Sequence, residues 1–184
     1  NALRPGAHPA VMARLLAAKT DVVTIIGTGL QGYMSLLCMS KVLDMKEIRV
    51  CDISEAAMDR FIARFPDAPF RFVKCKSNEE GCRGSDVIIT VTNANADLVE
   101  EPWVKPGALV ISTSTFNMEH KRIVDLKKVI DNYGMYENYA EEDNVGYDAE
   151  GNRLHPGCMG EDFVYMVQDG LIERNSLTTF GEII

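Results

Sequence analysis

Two kinds of apolar run alternate along the chain. Short, almost unbroken stretches occur at residues 22–26, 48–51, 70–73, 87–91 and 108–111. The first, Val22 to Ile26, is almost wholly apolar and suits a buried strand of a parallel sheet, and the others read as further strands. Val129 and Ile130 offer a sixth, shorter one. Between them, apolar residues return at helical spacing. Residues 7–19 carry Val11, Leu15 and Leu16, with Pro9 placed in a first turn, and residues 31–43 follow the first strand. Ser54 is a good N-cap for a helix running through Phe65. Residues 143–160 are polar and glycine-rich and read as an excursion or hairpin. Residues 161–172 then read as a helix. Strands separated by helices predict βαβ units and an α/β fold with a doubly wound parallel sheet.

The first strand runs into Gly27-Thr28-Gly29-Leu30-Gln31-Gly32. G-x-G-x-x-G alone is a weak signal. Here it follows a buried strand and opens a helix, which is the context a Rossmann-type dinucleotide site requires. Gly27 permits the tight turn, Gly29 lets the backbone approach a pyrophosphate, and Gly32 lets helix and strand pack closely. The helix start offers free N–H groups to the phosphates.

Asp52 lies twenty residues beyond Gly32, at the end of the second strand. A carboxylate there accepts hydrogen bonds from adenosine ribose hydroxyls and repels a 2′-phosphate. No arginine follows at once: Ile53, which joins the cofactor-facing set, precedes Ser54 and Glu55. NAD is therefore expected in preference to NADP. The plain alternative is a structural turn and a solvated acid. The fourth strand ends in Val91, Thr92 and Asn93, where a doubly wound sheet faces its ligand crevice. These residues line the nicotinamide side or simply close the strand, and both readings stay open.

Composition narrows the class. The 184 residues carry a net charge of −8 and are 46% hydrophobic, so a real core is available and a basic nucleic-acid face is not expected. No apolar run approaches the roughly 18 residues of a membrane span, and Asn1 to Gly6 does not read as a signal peptide. The five cysteines are odd in number and form no C-x-x-C pair, which predicts a reducing, cytoplasmic setting with Cys38 and Cys51 as core residues. His8, His120 and His155 are too dispersed for a metal motif, so no metal is expected. The chain starts just before Arg4 and stops at Gly181-Glu182-Ile183-Ile184 with no polar tail. We expect a single cofactor domain, residues 1–184, cut from a longer chain.

Four stretches stand in order along the chain. The first is Ala2-Leu3-Arg4 before a small-residue helix, and the second is Gly27-Thr28-Gly29-Leu30-Gln31. The third joins Ser85-Asp86-Val87-Ile88 through Thr92 to Trp103-Val104-Lys105-Pro106-Gly107. The last comprises Gly170-Leu171-Ile172 and Gly181-Glu182-Ile183. Taken together, they resemble the ornithine cyclodeaminase/μ-crystallin family. The resemblance implies an NAD-dependent enzyme interconverting an amino acid and its imine by hydride transfer: a cyclodeaminase, an amino-acid dehydrogenase or an imine reductase. It also implies a small-molecule partner, a homodimeric full-length protein, and a separate domain for substrate and dimerisation. Arg4 matches the arginine that meets the substrate carboxylate, a task suited to a planar guanidinium. Ile111, Ser112, Thr113 and Ser114 match the loop under the nicotinamide. Lys121 matches a lysine beside the active site; a surface charge is its plain alternative. Asn117 stands where the family places a catalytic aspartate, and an amide cannot exchange a proton at neutral pH. Either the loop slips by a residue or two, or another group such as Glu119 does the proton transfer, or the chemistry differs. The departure favours a dehydrogenase or reductase over a cyclodeaminase. A non-catalytic dinucleotide-binding protein is the alternative from another class, and a methyltransferase is a more distant third.

Overall fold

A computed structural model of the chain describes residues 3–94, 98–112, 120–143, 145–151, 154 and 158–184, the side chains of His120 and Lys121 excepted. The chain forms two compact units, Asn1–Ser114 and Thr115–Ile184.

The first unit begins with helix α1 (Leu3–Leu16). It then alternates strand and helix: β1 (Val22–Ile26), α2 (Leu30–Met39), β2 (Glu47–Cys51), α3 (Glu55–Ile62), β3 (Arg71–Lys74), α4 (Asn78–Cys82), β4 (Val87–Thr90) and β5 (Leu109–Ser112). The five strands form one parallel sheet in the order β3-β2-β1-β4-β5. The doubly wound parallel sheet expected from the pattern is present, with strand bounds within a residue or two of those predicted. Val23, Ile25, Val87, Ile88 and Ile89 are wholly buried, which is why β1 and β4 are almost continuously apolar, and Ile48 and Val50 are wholly buried on either side of the half-buried Arg49. Ser54 caps α3 as expected, its side chain accepting from Ala57 N–H.

Helix α1 differs from the expectation. It starts at Leu3 and ends at Leu16, so Pro9 lies inside it and not in its first turn. The preference of proline for a first turn gave way to packing. Gly6 lies so close to α2 that a Cβ on it would sit 2.5 Å from Met34 Cβ, and Pro9, Ala10 and Ala13 are buried.

The strand order reverses between β1 and β4, and at such a switch point the strand ends open a crevice. The opposite end of the same two strands is pinned. Asp86, 6% exposed, accepts from Val22 N–H at 2.9 Å and from Lys105 Nζ at 2.6 Å. Lys105 also donates to Gly84 O. The Ser85-Asp86 and Val104-Lys105-Pro106 stretches therefore meet as one structural clamp. Burial works to raise the Asp86 pKa, but Lys105 and the Val22 N–H outweigh it and hold the carboxyl below its ordinary range. A depressed folded-state pKa adds stability above the unfolded value of about 3.9, and that stability is lost as pH falls through the lower folded value. Asp86→Asn is expected to cost about 1.5–3 kcal/mol near neutral pH, the range for hydrogen bonds to a charged group. Urea melts of the two proteins should converge as the pH is taken below about 4. A constant gap down to acid pH would mean that the carboxylate charge is not the source.

The second unit contains α5 (His120–Ile123), β6 (Val129–Ile130), α6 (Tyr133–Asp143), α7 (Met159–Gln168), β7 (Thr178–Thr179) and α8 (Phe180–Ile183). The strand at Val129 exists, but it pairs in parallel with β7 in a separate two-stranded sheet and not with β5. Helix α7 begins two residues before the predicted start and ends at Gln168, where Gly170 turns left-handed at φ +72°. Within the polar stretch before it, Leu154 N–H returns to Gly146 O at 2.9 Å and Gly151 N–H to Asp148 O. Tyr165 ties α7 to α6 by donating to Ala140 O at 3.1 Å.

Candidate functional site

The glycine turn sits at the β1 end of the switch point. Gly27 has φ +104°, a conformation that side chains rarely adopt, and its N–H donates to Cys51 O at 2.9 Å. A Cβ here would meet Val91 O at 2.6 Å and Thr92 Cβ at 3.2 Å. The turn and the end of β4 are thus packed against each other, and Val91 N–H donates to Ile26 O. Gly29 is the opposite case: a Cβ on it would meet nothing within 4 Å. It is the N-cap of α2 in an extended conformation, with no side-chain cap. The first N–H groups of α2 have no partner inside the helix, so they remain available at an open edge. Gly32 lets α2 lie on the turn itself, because a Cβ there would collide with Gly27 O.

Asp52 closes the site from β2. One carboxylate oxygen accepts from Thr28 N–H at 2.9 Å and from Thr28 Oγ1 at 2.6 Å. The other accepts from Ser54 N–H at 3.0 Å. Burial works to raise its pKa, and these donors more than offset that, leaving the carboxyl ionised below its ordinary range. Asp52 is therefore both a candidate acceptor and the anchor that holds the glycine turn. One oxygen carries two donors already and the other carries one, so capacity for another hydrogen bond remains.

Beside these groups opens a cavity of about 310 Å³, lined by Thr28, Gly29, Leu30, Asp52, Ala57, Arg60, Phe61 and Arg64. Its floor continues into a cluster of tilted rings: Phe61 with Phe65 at 5.6 Å, and Phe65 with Tyr33 at 5.3 Å. The two arginines were not singled out from the sequence. Arg60 stands on α3, and Arg64 lies two residues beyond its end, past the Ala63 C-cap. Two arginines this soon after Asp52 are the available signal. Arg64 lies over the Tyr33 ring, its Cζ 4.9 Å from the centroid.

The remaining candidates are unevenly placed. Ile53 is fully exposed next to Asp52, an apolar side chain left in solvent at the edge of the site. Thr92 and Asn93 follow β4, and Thr92 Oγ1 accepts from Ala94 N–H at 3.0 Å. Ile111 is buried, and Ser112 hydrogen-bonds Thr90 at 2.9 Å across the β4–β5 edge. Gln31 Oε1 is buried without a hydrogen-bond partner among the described residues. Arg4 is exposed on the first turn of α1. Thr113, Ser114, Asn117, Glu119 and the side chain of Lys121 lie outside the described residues.

Cys51, Cys75 and Cys82 are buried and Cys38 and Cys158 partly so; all five are free thiols. Among the described residues no group of three or more His, Cys, Asp and Glu could hold a metal ion. No described helix is long and apolar enough to cross a membrane.

The turn, the open edge at Gly29, the uncapped helix start and the ionised Asp52 together fit a dinucleotide. The donors suit a pyrophosphate, and the acid suits ribose hydroxyls.

Comparison with known proteins gives the same direction. The model of the ornithine cyclodeaminase/mu-crystallin family matches residues 1–153. An ornithine cyclodeaminase of Brucella abortus is 37% identical over 109 residues, covering 58% of this chain and 30% of that protein. The ketimine reductase mu-crystallin of mouse is 30% identical over 125 residues, 67% of this chain and 39% of that protein. Among solved structures, the Δ1-pyrroline-2-carboxylate reductase of Thermococcus litoralis, in complex with NADH and L-proline, superposes with a TM-score of 0.69 at 21% identity. That match covers 96% of this chain and 50% of the other. The chain thus spans 30% and 39% of the length of these two curated relatives and half of the solved one.

Proposed function

Since the chain belongs to the ornithine cyclodeaminase/mu-crystallin family, we propose that it is the NAD-holding part of an enzyme acting on an amino acid or its imine. The observation that carries this is the glycine turn tied to Asp52 through Thr28 at the β1–β4 switch point. A bound nicotinamide would accept or donate hydride at the substrate carbon that bears nitrogen.

The chain's own residues divide the remaining work. The open space at Gly29 and the free N–H groups of α2 receive the pyrophosphate. Asp52, ionised at neutral pH, accepts from the ribose hydroxyls. Val91, Thr92 and Asn93, with Ile111 and Ser112, form the strand-end edge on the nicotinamide side. Arg4 meets the substrate carboxylate, which a guanidinium grips through two parallel hydrogen bonds. Asn117 orients substrate and leaves proton exchange to another group, with Glu119 and Lys121 as candidates. This assignment favours a dehydrogenase or an imine reductase over a cyclodeaminase.

The relatives' greater length supports a second domain that completes the substrate cleft, and this chain alone is then catalytically silent. Catalysis needs the substrate held within reach of the cofactor by walls on both sides. The test is nicotinamide absorbance, followed for a protein containing this chain in its full-length context. NAD is offered with amino acids, and NADH with cyclic imines or with keto acids plus ammonia. Turnover with one of these pairs is expected. Tight NADH binding with no turnover in any arm would overturn the enzyme reading and favour a dinucleotide-binding protein, which the loss of the family aspartate at Asn117 also fits.

A further inference from the structure

We propose that Arg60 and Arg64 form a subsite for a 2′-phosphate, so that the chain accepts NADP(H) as well as NAD(H). The inference rests on the dinucleotide reading above and goes beyond it. Asp52 considered alone excludes a phosphorylated ribose. The structure sets two guanidinium groups around the same cavity, across from the glycine turn.

Their charge is unspent. The acids on α3 nearest to them are engaged elsewhere: Glu55 and Asp59 both pair with Lys74, at 2.8 Å each. Among the described residues no ion pair involves Arg60 or Arg64. Asp52 contributes one negative charge to the cavity wall and the two arginines contribute two positive ones. The wall is thus net cationic where the sequence pattern suggested an acid alone.

Asp52 is also less hostile to an anion than its type implies. Its oxygens already accept from Thr28 N–H, Thr28 Oγ1 and Ser54 N–H, which draws its charge towards the turn. Arg64 is steadied by the Tyr33 face, and its planar fork can meet phosphate oxygens in pairs. The open cavity, about 310 Å³, leaves room for a phosphate between Asp52 and α3. Both arginines are exposed, so neither is required for the core.

The test is calorimetric titration of the chain with NADH and with NADPH. Arg60→Ala, Arg64→Ala and the double variant are measured alongside it, each with a circular dichroism melt. We expect NADPH to bind the unmodified chain within about tenfold of NADH. Each arginine lost should lower the NADPH-to-NADH affinity ratio by about tenfold or more, the size of one hydrogen bond to a charged group. Arg64→Lys should recover only part of that loss, because an ammonium keeps the charge without the fork. NADPH affinity should also fall more steeply with added salt than NADH affinity. NADH binding with NADPH excluded would overturn this inference alone. So would variants that weaken both cofactors equally, since the arginines would then serve the shared adenosine. Failure of both cofactors to bind would overturn the dinucleotide reading together with it.

Discussion

Gly29→Val is expected to abolish dinucleotide binding while the chain stays folded. The backbone at Gly29 is extended, at φ −72° and ψ −165°, a conformation that valine adopts without strain. A Cβ there meets nothing within 4 Å, so the side chain finds room in the folded protein. That room is what a pyrophosphate would fill. Replacing glycine at a helix N-cap costs the fold only about 1 kcal/mol. Affinity for NADH should fall about a hundredfold or more, equivalent to about 2.7 kcal/mol. Calorimetric titration beside a thermal melt separates the two effects. A folded variant with unchanged affinity would show that the turn is purely structural.

Gly32→Ala should do the reverse and damage the fold itself. Helix propensity alone predicts a gain of about 1 kcal/mol from this change. Steric contact predicts a loss, because the new Cβ would strike Gly27 O, a backbone atom in a turn that cannot swing aside. Gly27 is itself held by its N–H bond to Cys51 O and by the closeness of Val91. We expect the collision to win, with a net destabilisation of about 2–3 kcal/mol or more. Urea unfolding measures the sign directly. A variant at least as stable as the parent would mean that the α2 start shifts freely, and the close-packing argument would be wrong.

Much of this architecture is legible in the amino-acid sequence. The strands show because a parallel sheet covered on both faces needs unbroken apolar runs, as in 22–26 and 87–90. The turn and Asp52 show because their spacing follows from the geometry of one βαβ unit. Three things are hidden. Pro9 points the wrong way because proline usually marks a helix start, and nothing local reveals that Gly6 and Ala10 pack as part of the same helix. The partner of Val129 is hidden because β7 is two residues long and lies almost fifty residues later. Arg60 and Arg64 escape notice because they do not follow Asp52 directly: one stands on α3 and the other in the turn beyond it, and only the fold brings both to the cavity. Asn117, Lys121, Thr113 and Ser114 are candidates carried by family resemblance.

The clamp between Asp86 and Lys105 bears on how this chain can change over evolutionary time. It fastens β4 to β1 and to the approach to β5 at the end of the sheet away from the crevice. Past the last pairing of β4, the half-buried Thr92 and the exposed Asn93 are therefore relieved of holding the sheet together. Substitutions there can retune what the crevice recognises with little penalty to folding, so new specificities can be sampled one residue at a time. Mutational scanning of the two ends should show this as a polarity along the strand: intolerance at residues 84–88, and tolerance with altered binding at Thr92 and Asn93.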